Sequence, residues 1–143
     1  MSRDTDYLVD RLVSDKEFRD AYWDAHLSEG LASQIRATRE ERRWTQRELG
    51  EHAGGKAQSV ISQLEDPDYG RYSLSTLKRI ASAFDVALVV RFVPYSHLLD
   101  YTSNLSLSDV AVLPIDRDRA LRPGPAGRRA RSRSLDSSFH APF

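Results

Sequence analysis

Four side chains within six positions, Gln58, Ser59, Ser62 and Gln63, are amides and hydroxyls with no acid, histidine or cysteine among them. Short amides and hydroxyls on an exposed helix face donate and accept hydrogen bonds at the edges of bases in a DNA major groove. At helical spacing Ile61 and Leu64 fall on the opposite face, so a helix over residues 58–66 buries those two and exposes the four polar groups together. The chemistry this pattern suits is readout of a duplex rather than bond making.

These groups need a scaffold. Residues 45–53 read as a short helix beginning at Thr45, whose hydroxyl can accept a free N–H of the first turn. Glu48, three residues on, completes a capping box. Leu49, Gly50 and Ala53 form an apolar and small inner face that another helix can cross closely. Gly54-Gly55 stops the helix, because glycine reaches left-handed backbone angles without a Cβ penalty. A plain helical bundle with a polar helix facing water is the competing reading. The cap, the glycine turn and the SxxE pattern of Ser62 and Glu65 occurring together weigh against it.

Other chemistries find little support. The chain has no cysteine, so a disulfide framework and a thiolate metal site are excluded. His26, His52, His97 and His140 are scattered without an HExxH spacing. The run Asp66-Pro67-Asp68-Tyr69-Gly70 is a turn that differs from a calcium loop, since its glycine comes one position early and the closing glutamate is missing. Neither a nucleophile–base motif nor a phosphate loop is present. No catalytic role, metal or cofactor is expected. No apolar run approaches the roughly 18 residues that span a bilayer, and the N-terminus lacks a signal-peptide apolar region, so a cytoplasmic protein with no membrane partner is expected.

The 143 residues allow one modest domain with extensions. Their formal net charge is zero, which suits a DNA binder poorly until it is divided along the chain. Residues 1–30 carry four basic and eight acidic side chains, and residues 31–60 carry six and four. Residues 61–115 carry four basic and six acidic, and residues 116–143 carry seven and three. Positive charge thus gathers beside the two-helix unit and in the tail, where phosphate attraction is useful.

On either side of the unit the periodicity changes. Residues 5–27 suggest one or two amphipathic helices, with Tyr7, Leu8, Leu12, Phe18, Tyr22 and Trp23 among acidic residues and Ser14-Asp15 as a candidate cap. Packing of this stripe on the domain or on a partner protein is favoured over a specialised binding role. Residues 28–43 predict a longer helix capped by Ser28, with Leu31, Ile35 and Thr38 inward and Arg36, Glu40, Arg42 and Arg43 solvated. A further helix over residues 74–84 sets Leu74, Leu77, Ile80, Ala81 and Phe84 in the core, with Ser73 as its cap. Residues 86–93, VALVVRFV, switch to period two, with Val86, Leu88, Val90 and Phe92 on one face. No other stretch is a convincing strand partner, and a lone strand leaves its edge open, so pairing with the same strand of a second copy is expected. Residues 95–101 suggest a short helix and residues 103–115 are weakly structured at best. From Asp116 onward the Arg-, Pro- and Gly-rich sequence reads as disordered, either an electrostatic anchor on DNA or a solvated tail.

Taken together, TQRELGEHAGG, a turn, SVISQLE and a later helix ending AFDV resemble the phage-repressor/Cro-type (XRE) helix-turn-helix family over about residues 31–86. The resemblance implies a mainly α fold, a lambda-repressor-like helical bundle. It assigns Gln46, with Thr45 beside it, to DNA phosphate, and Gln58, Ser59 and Gln63 to bases with Ser62 between them. It also implies that Arg39 and Glu65 form an internal salt bridge between the long helix and the recognition helix. Arg43, Lys56 and Arg71, basic residues next to the two helices or on the following loop, are further candidates for phosphate. Three departures stand out: a turn one residue longer than usual before Gln58, Gly50 in place of the common alanine, and DPDYGRYSL where the family usually has Pro-Ser. The acidic, aromatic N-terminal arm is similar to that of HigA-type antitoxins, and the terminal strand to the dimerising strand of other XRE regulators.

The resulting expectation is an acidic helical arm (1–27), a helix-turn-helix domain (28–85), a dimerising strand and short helix (86–102), and an irregular to disordered tail (103–143). Function follows as a sequence-specific double-stranded DNA-binding regulator, a repressor acting as a homodimer. The alternative is an antitoxin that neutralises a toxin protein and autoregulates its operon.

Overall fold

The computed structural model describes residues 3–103 and 111–121. Its α-helices are α1 (Arg3–Ser14), α2 (Lys16–Glu41), α3 (Gln46–His52), α4 (Gln58–Leu64), α5 (Leu74–Phe84) and α6 (Tyr95–Ser103), followed by two 3-10 turns at Ile115–Arg117 and Arg119–Leu121. The fold is mainly helical, with no strand among the described residues.

Apolar side chains spaced to one face of each helix meet in one cluster: Ile35 of α2, Leu49 of α3, Ile61 and Leu64 of α4, and Ile80 and Phe84 of α5, joined by Ala53. Burying a side chain of this size contributes about 1.5–3 kcal/mol, and this cluster clamps α3 and α4 onto α2 and α5. Local signals set the helix ends. Glu48 N–H donates to Thr45 Oγ1 at 3.1 Å while Thr45 N–H donates to Glu48 Oε2 at 2.6 Å, completing both halves of the capping box. Phe18 N–H donates to Asp15 Oδ1 at 3.0 Å, and Thr76 N–H to Ser73 Oγ at 3.1 Å. Asp85 closes α5 in the left-handed region, at φ 57°.

The crossing of α3 and α4 rests on bare backbone. Gly50 O accepts the N–H groups of Gly55 (3.1 Å) and Lys56 (2.8 Å), and a Cβ at position 50 would lie 2.1 Å from Lys56 O. Only glycine fits there.

Several expectations change. The long helix does not begin at Ser28; it runs unbroken from Lys16, and Ser28 is buried in its middle. A cap needs a chain break to cap, and here the loop at Gly70 closes over Ser28 instead, with a Cβ built on Gly70 3.3 Å from Ser28 Oγ. Leu74, expected in the core, is 51 % exposed as the first residue of α5. Residues 86–93 form no strand within the chain. A strand exists by its pairing, and among the described residues no strand lies alongside; Val86 N–H is instead bonded to Ala81 O at 3.0 Å as part of the α5 terminus. Val86 and Leu88 are half-buried at a cleft between α2 and α5, whereas Val90 and Phe92 stand in solvent at 67 % and 106 % exposure.

At the N-terminus α1 and α2 form a hairpin. Arg19 Nη1 donates to Leu12 O at 2.7 Å at the end of α1, Arg11 lies 4.5 Å from the Phe18 ring centroid, and Leu12 is buried. Arg19 also lies 5.9 Å from the Tyr95 ring centroid, which brings the start of α6 to this hairpin.

Asp116 onward is not uniformly irregular. Residues 111–121 return to the domain as a strap across the end of α2. Val112 N–H donates to Thr38 Oγ1 (3.2 Å), Ile115 N–H to Asp85 O (3.1 Å), and Arg117 pairs with Glu41 at 3.0 Å. The strap hides Arg42, expected on the solvated face; its side chain is 8 % exposed and donates to Val112 O (2.9 Å) and Phe84 O (2.8 Å). The remaining tail expectations, for residues 104–110 and 122–143, lie outside the described residues.

Candidate nucleic-acid interface

The seven residues of α4 divide by periodicity. Ile61 and Leu64 face the core, while Gln58, Ser59, Ser62 and Gln63 are all exposed. Two long-range contacts stiffen the far end of this short helix. Tyr72 Oη donates to Leu64 O at 2.9 Å, and its partial burial pushes the phenol's pKa upward, keeping it a donor. Glu65, next to the helix end, is held by Arg39.

That hold is bidentate: Arg39 Nε–Glu65 Oε1 is 2.5 Å and Nη2–Oε2 is 2.9 Å, with side chains only 12 % and 5 % exposed. Arg39 also donates to Trp44 O at 2.8 Å, tying α2 to the entry of α3. Its pKa is raised, chiefly by the Glu65 hydrogen bond and against the pull of burial. The pair is thus charged, satisfied and internal, joining α2 to the end of α4.

From this pair a chain of bonds runs outward. Gln46 Nε2 donates to Glu65 Oε2 at 3.1 Å, and Gln58 Nε2 donates to Gln46 Oε1 at 2.6 Å. The first residue of α3 and the first of α4 are therefore joined side chain to side chain, and the register of Gln58 is fixed despite the longer turn. Gln46 keeps one N–H for an outside acceptor, and Gln58 keeps one N–H and its carbonyl oxygen.

The other candidates for phosphate surround this edge unevenly. Arg43 is exposed just before α3, at φ 57°. Thr45 is exposed, and its hydroxyl proton is free to donate because the oxygen serves the cap as acceptor. Lys56 is half-buried in the turn before α4. Arg71 is exposed in the loop after α4, and among the described residues no hydrogen bond joins it to the Gln46–Gln58 pair. The surface thus offers neutral donors and acceptors at its centre and cations at its margin. It has no paired nucleophile and base.

Arg42 is the residue that sequence reasoning missed. It stabilises the end of α5 and the strap together, and burial pulls its pKa down, Glu41 partly opposing this. Two adjacent arginines at a helix end carry no signal that one is buried and the other exposed. Among the described residues no group of acids and histidines is placed to hold a metal ion, and no helix is long and apolar enough to cross a membrane.

A helix-turn-helix family model matches residues 35–90, the stretch that contains α3, α4, α5 and the Arg39–Glu65 pair. No curated protein and no solved structure matches the chain.

Proposed function

We propose, from the helix-turn-helix match over residues 35–90 and its resemblance to the DNA-binding unit of phage-repressor/Cro-type (XRE) transcription regulators, that the chain is a homodimeric repressor that reads duplex DNA through α4. The observation that carries this reading is the exposure of Gln58, Ser59, Ser62 and Gln63 on one face, with Gln58 held by Gln46. In the major groove a glutamine bonds bidentately to adenine, and each such pair discriminates by about 1–3 kcal/mol. Gln46, Thr45, Arg43 and Lys56 take the phosphates beside the half-site, and Arg71 takes one farther along. Arg39 and Glu65 act on neither; they hold α4 at its angle.

Two observations support the dimer. Val89, Val90 and Phe92 are 75 %, 67 % and 106 % exposed within four residues, an apolar run of a kind that single subunits rarely leave in water. The run is flanked by Val86 and Leu88 at the α2–α5 cleft and by Tyr95, at the start of α6, beside Arg19 of the hairpin, which leaves its apolar side chains available to a second copy about a two-fold axis. Two copies then read half-sites about 34 Å apart, one turn of DNA. Repression follows by exclusion of polymerase from an overlapping promoter in the cytoplasm. No enzymatic step is assigned.

The experiment is selection of bound duplexes from a random pool at physiological salt. A two-fold symmetric consensus is expected, degraded at defined positions by Gln58→Ala and Gln63→Ala. Recovery of random sequence by the unaltered chain would remove the reading. A second reading, an antitoxin, is favoured by one feature: the acidic α1–α2 hairpin leaves Tyr7 and Val13 64 % and 75 % exposed. A basic toxin protein would be its partner, and co-purification with the product of a neighbouring gene is its test.

A further inference from the structure

The corner between α2 and α3 works against its own backbone preference. Arg43 N–H donates to Glu40 O at 2.9 Å and Trp44 N–H to Arg39 O at 3.2 Å, a helix stop that places Arg43 in the left-handed region. Glycine is the usual occupant of that position. A side chain kept there persists only where its surroundings hold it. The strap, which lies beyond the stretch matched by the family model, grips the residues just before this corner. Thr38 Oγ1 accepts Val112 N–H at 3.2 Å, Arg42 donates to Val112 O at 2.9 Å, and Glu41 pairs with Arg117 at 3.0 Å.

Arg42 joins the strap to the rest of the domain. It is the C-cap of α2, and its side chain also donates to Phe84 O at 2.8 Å, with the guanidinium 5.1 Å from the Phe84 ring centroid. The Phe84 ring lies 6.1 Å from that of Trp44 and nearly parallel to it. Trp44 in turn stacks at 4.1 Å on His52, the last residue of α3. Contacts therefore lead from Val112 through Arg42 and Phe84 to Trp44, and on to the end of α3. A guanidinium held out of water needs its acceptors. Without Val112 O it is driven to turn outward, and Phe84 and the corner lose their support with it. We propose that Arg42 is a positioning residue for the corner that presents Arg43, Thr45 and Gln46 to phosphate, and that the strap sets DNA affinity by holding Arg42 inward. This rests on the DNA-binding reading above.

The test follows amide exchange at Val112 and Ile115, together with duplex affinity, in the full chain. Coupling of this kind is reciprocal, so saturation with a selected operator duplex is expected to slow exchange at both N–H groups about fivefold or more. Thr38→Val with Arg117→Gln removes the hydroxyl acceptor and the ion pair but leaves Arg43, Thr45 and Gln46 in place. This variant should exchange faster at both amides and bind operator and unrelated duplexes about fivefold or more weakly. Thr38→Ser, which keeps the acceptor, should bind as the unaltered chain does. Arg42→Met should weaken binding at least as far, and adding the two strap substitutions to it should cost nothing more, since all act through one guanidinium. If Arg42→Met does not fold, exchange in the unaltered chain still decides. Exchange unmoved by saturating operator, or a loosened strap with full affinity, would overturn the inference and leave the DNA-binding reading standing. A chain that binds no duplex would remove both.

Discussion

Gln58 donates its side-chain amide to Gln46 at 2.6 Å, so the first side chain of α4 is positioned by the first of α3. On the proposed reading, readout and backbone anchoring are then a single unit. If the bond persists on DNA, Gln46→Ala should lower affinity at every sequence and also blur the preference at the position read by Gln58. A double-mutant cycle with Gln58→Ala on operator DNA should give a coupling of about 0.5–3 kcal/mol. Strict additivity would mean that the two amides separate on binding.

The Arg39–Glu65 pair is internal, at 12 % and 5 % side-chain exposure, so removing one partner strands a desolvated charge. Arg39→Met should lower the unfolding free energy by about 3–5 kcal/mol in urea titrations. Arg39→Met with Glu65→Leu should recover most of that loss while leaving Gln46 without its acceptor. The double variant should therefore fold well and bind DNA poorly. A double variant with full affinity would make Glu65 dispensable to the interface.

Arg43 stands at φ 57°, a conformation that costs a non-glycine residue about 1–2 kcal/mol. On the proposed reading the Arg43 guanidinium, which glycine lacks, takes a phosphate. Arg43→Gly should raise the melting temperature and weaken binding to operator and unrelated duplexes alike. Unchanged binding would leave the arginine without a role on phosphate.

Acid should loosen the hairpin before the core. The Asp15 carboxylate is held below its ordinary range, first by the Phe18 N–H and then by Arg11. Its stabilising effect is complete above the ordinary carboxylate pKa of about 4 and is lost as pH falls through the lower folded value. Amide exchange at Phe18 should accelerate over that window. In Asp15→Asn, which keeps the capping oxygen but does not titrate, exchange should show no such step.

Helices α3 and α4 were legible because their determinants are local. Thr45 and Glu48 are three residues apart, the Gly54-Gly55 stop adjoins the helix it ends, and Ile61 with Leu64 marks the inner face without reference to anything distant. Arg42, Ser28 and Leu74 were misread for the opposite reason. Whether Arg42 is solvated depends on Val112, seventy positions away, and whether Ser28 begins a helix depends on the loop that covers it. The period-two pattern of residues 86–93 led to an expected strand, but hydrogen-bonded pairing is a property of two segments, and among the described residues no strand is formed.

That segment supplies the last prediction. Val86 and Leu88 already line the cleft between α2 and α5, so altering them would damage the subunit itself. Val90 and Phe92 project into solvent, and replacing them removes nothing that the subunit buries. Val90→Lys with Phe92→Lys should leave helix content and melting temperature intact, while like charges on both copies oppose pairing across the two-fold. Sedimentation should then report monomers, and operator affinity should fall steeply while single half-site binding persists, because each subunit keeps its reading helix but loses its tethered neighbour. A doubly substituted chain that still sediments as a dimer would move the interface to another face, and the 34 Å spacing expected between half-sites would lose its geometric basis.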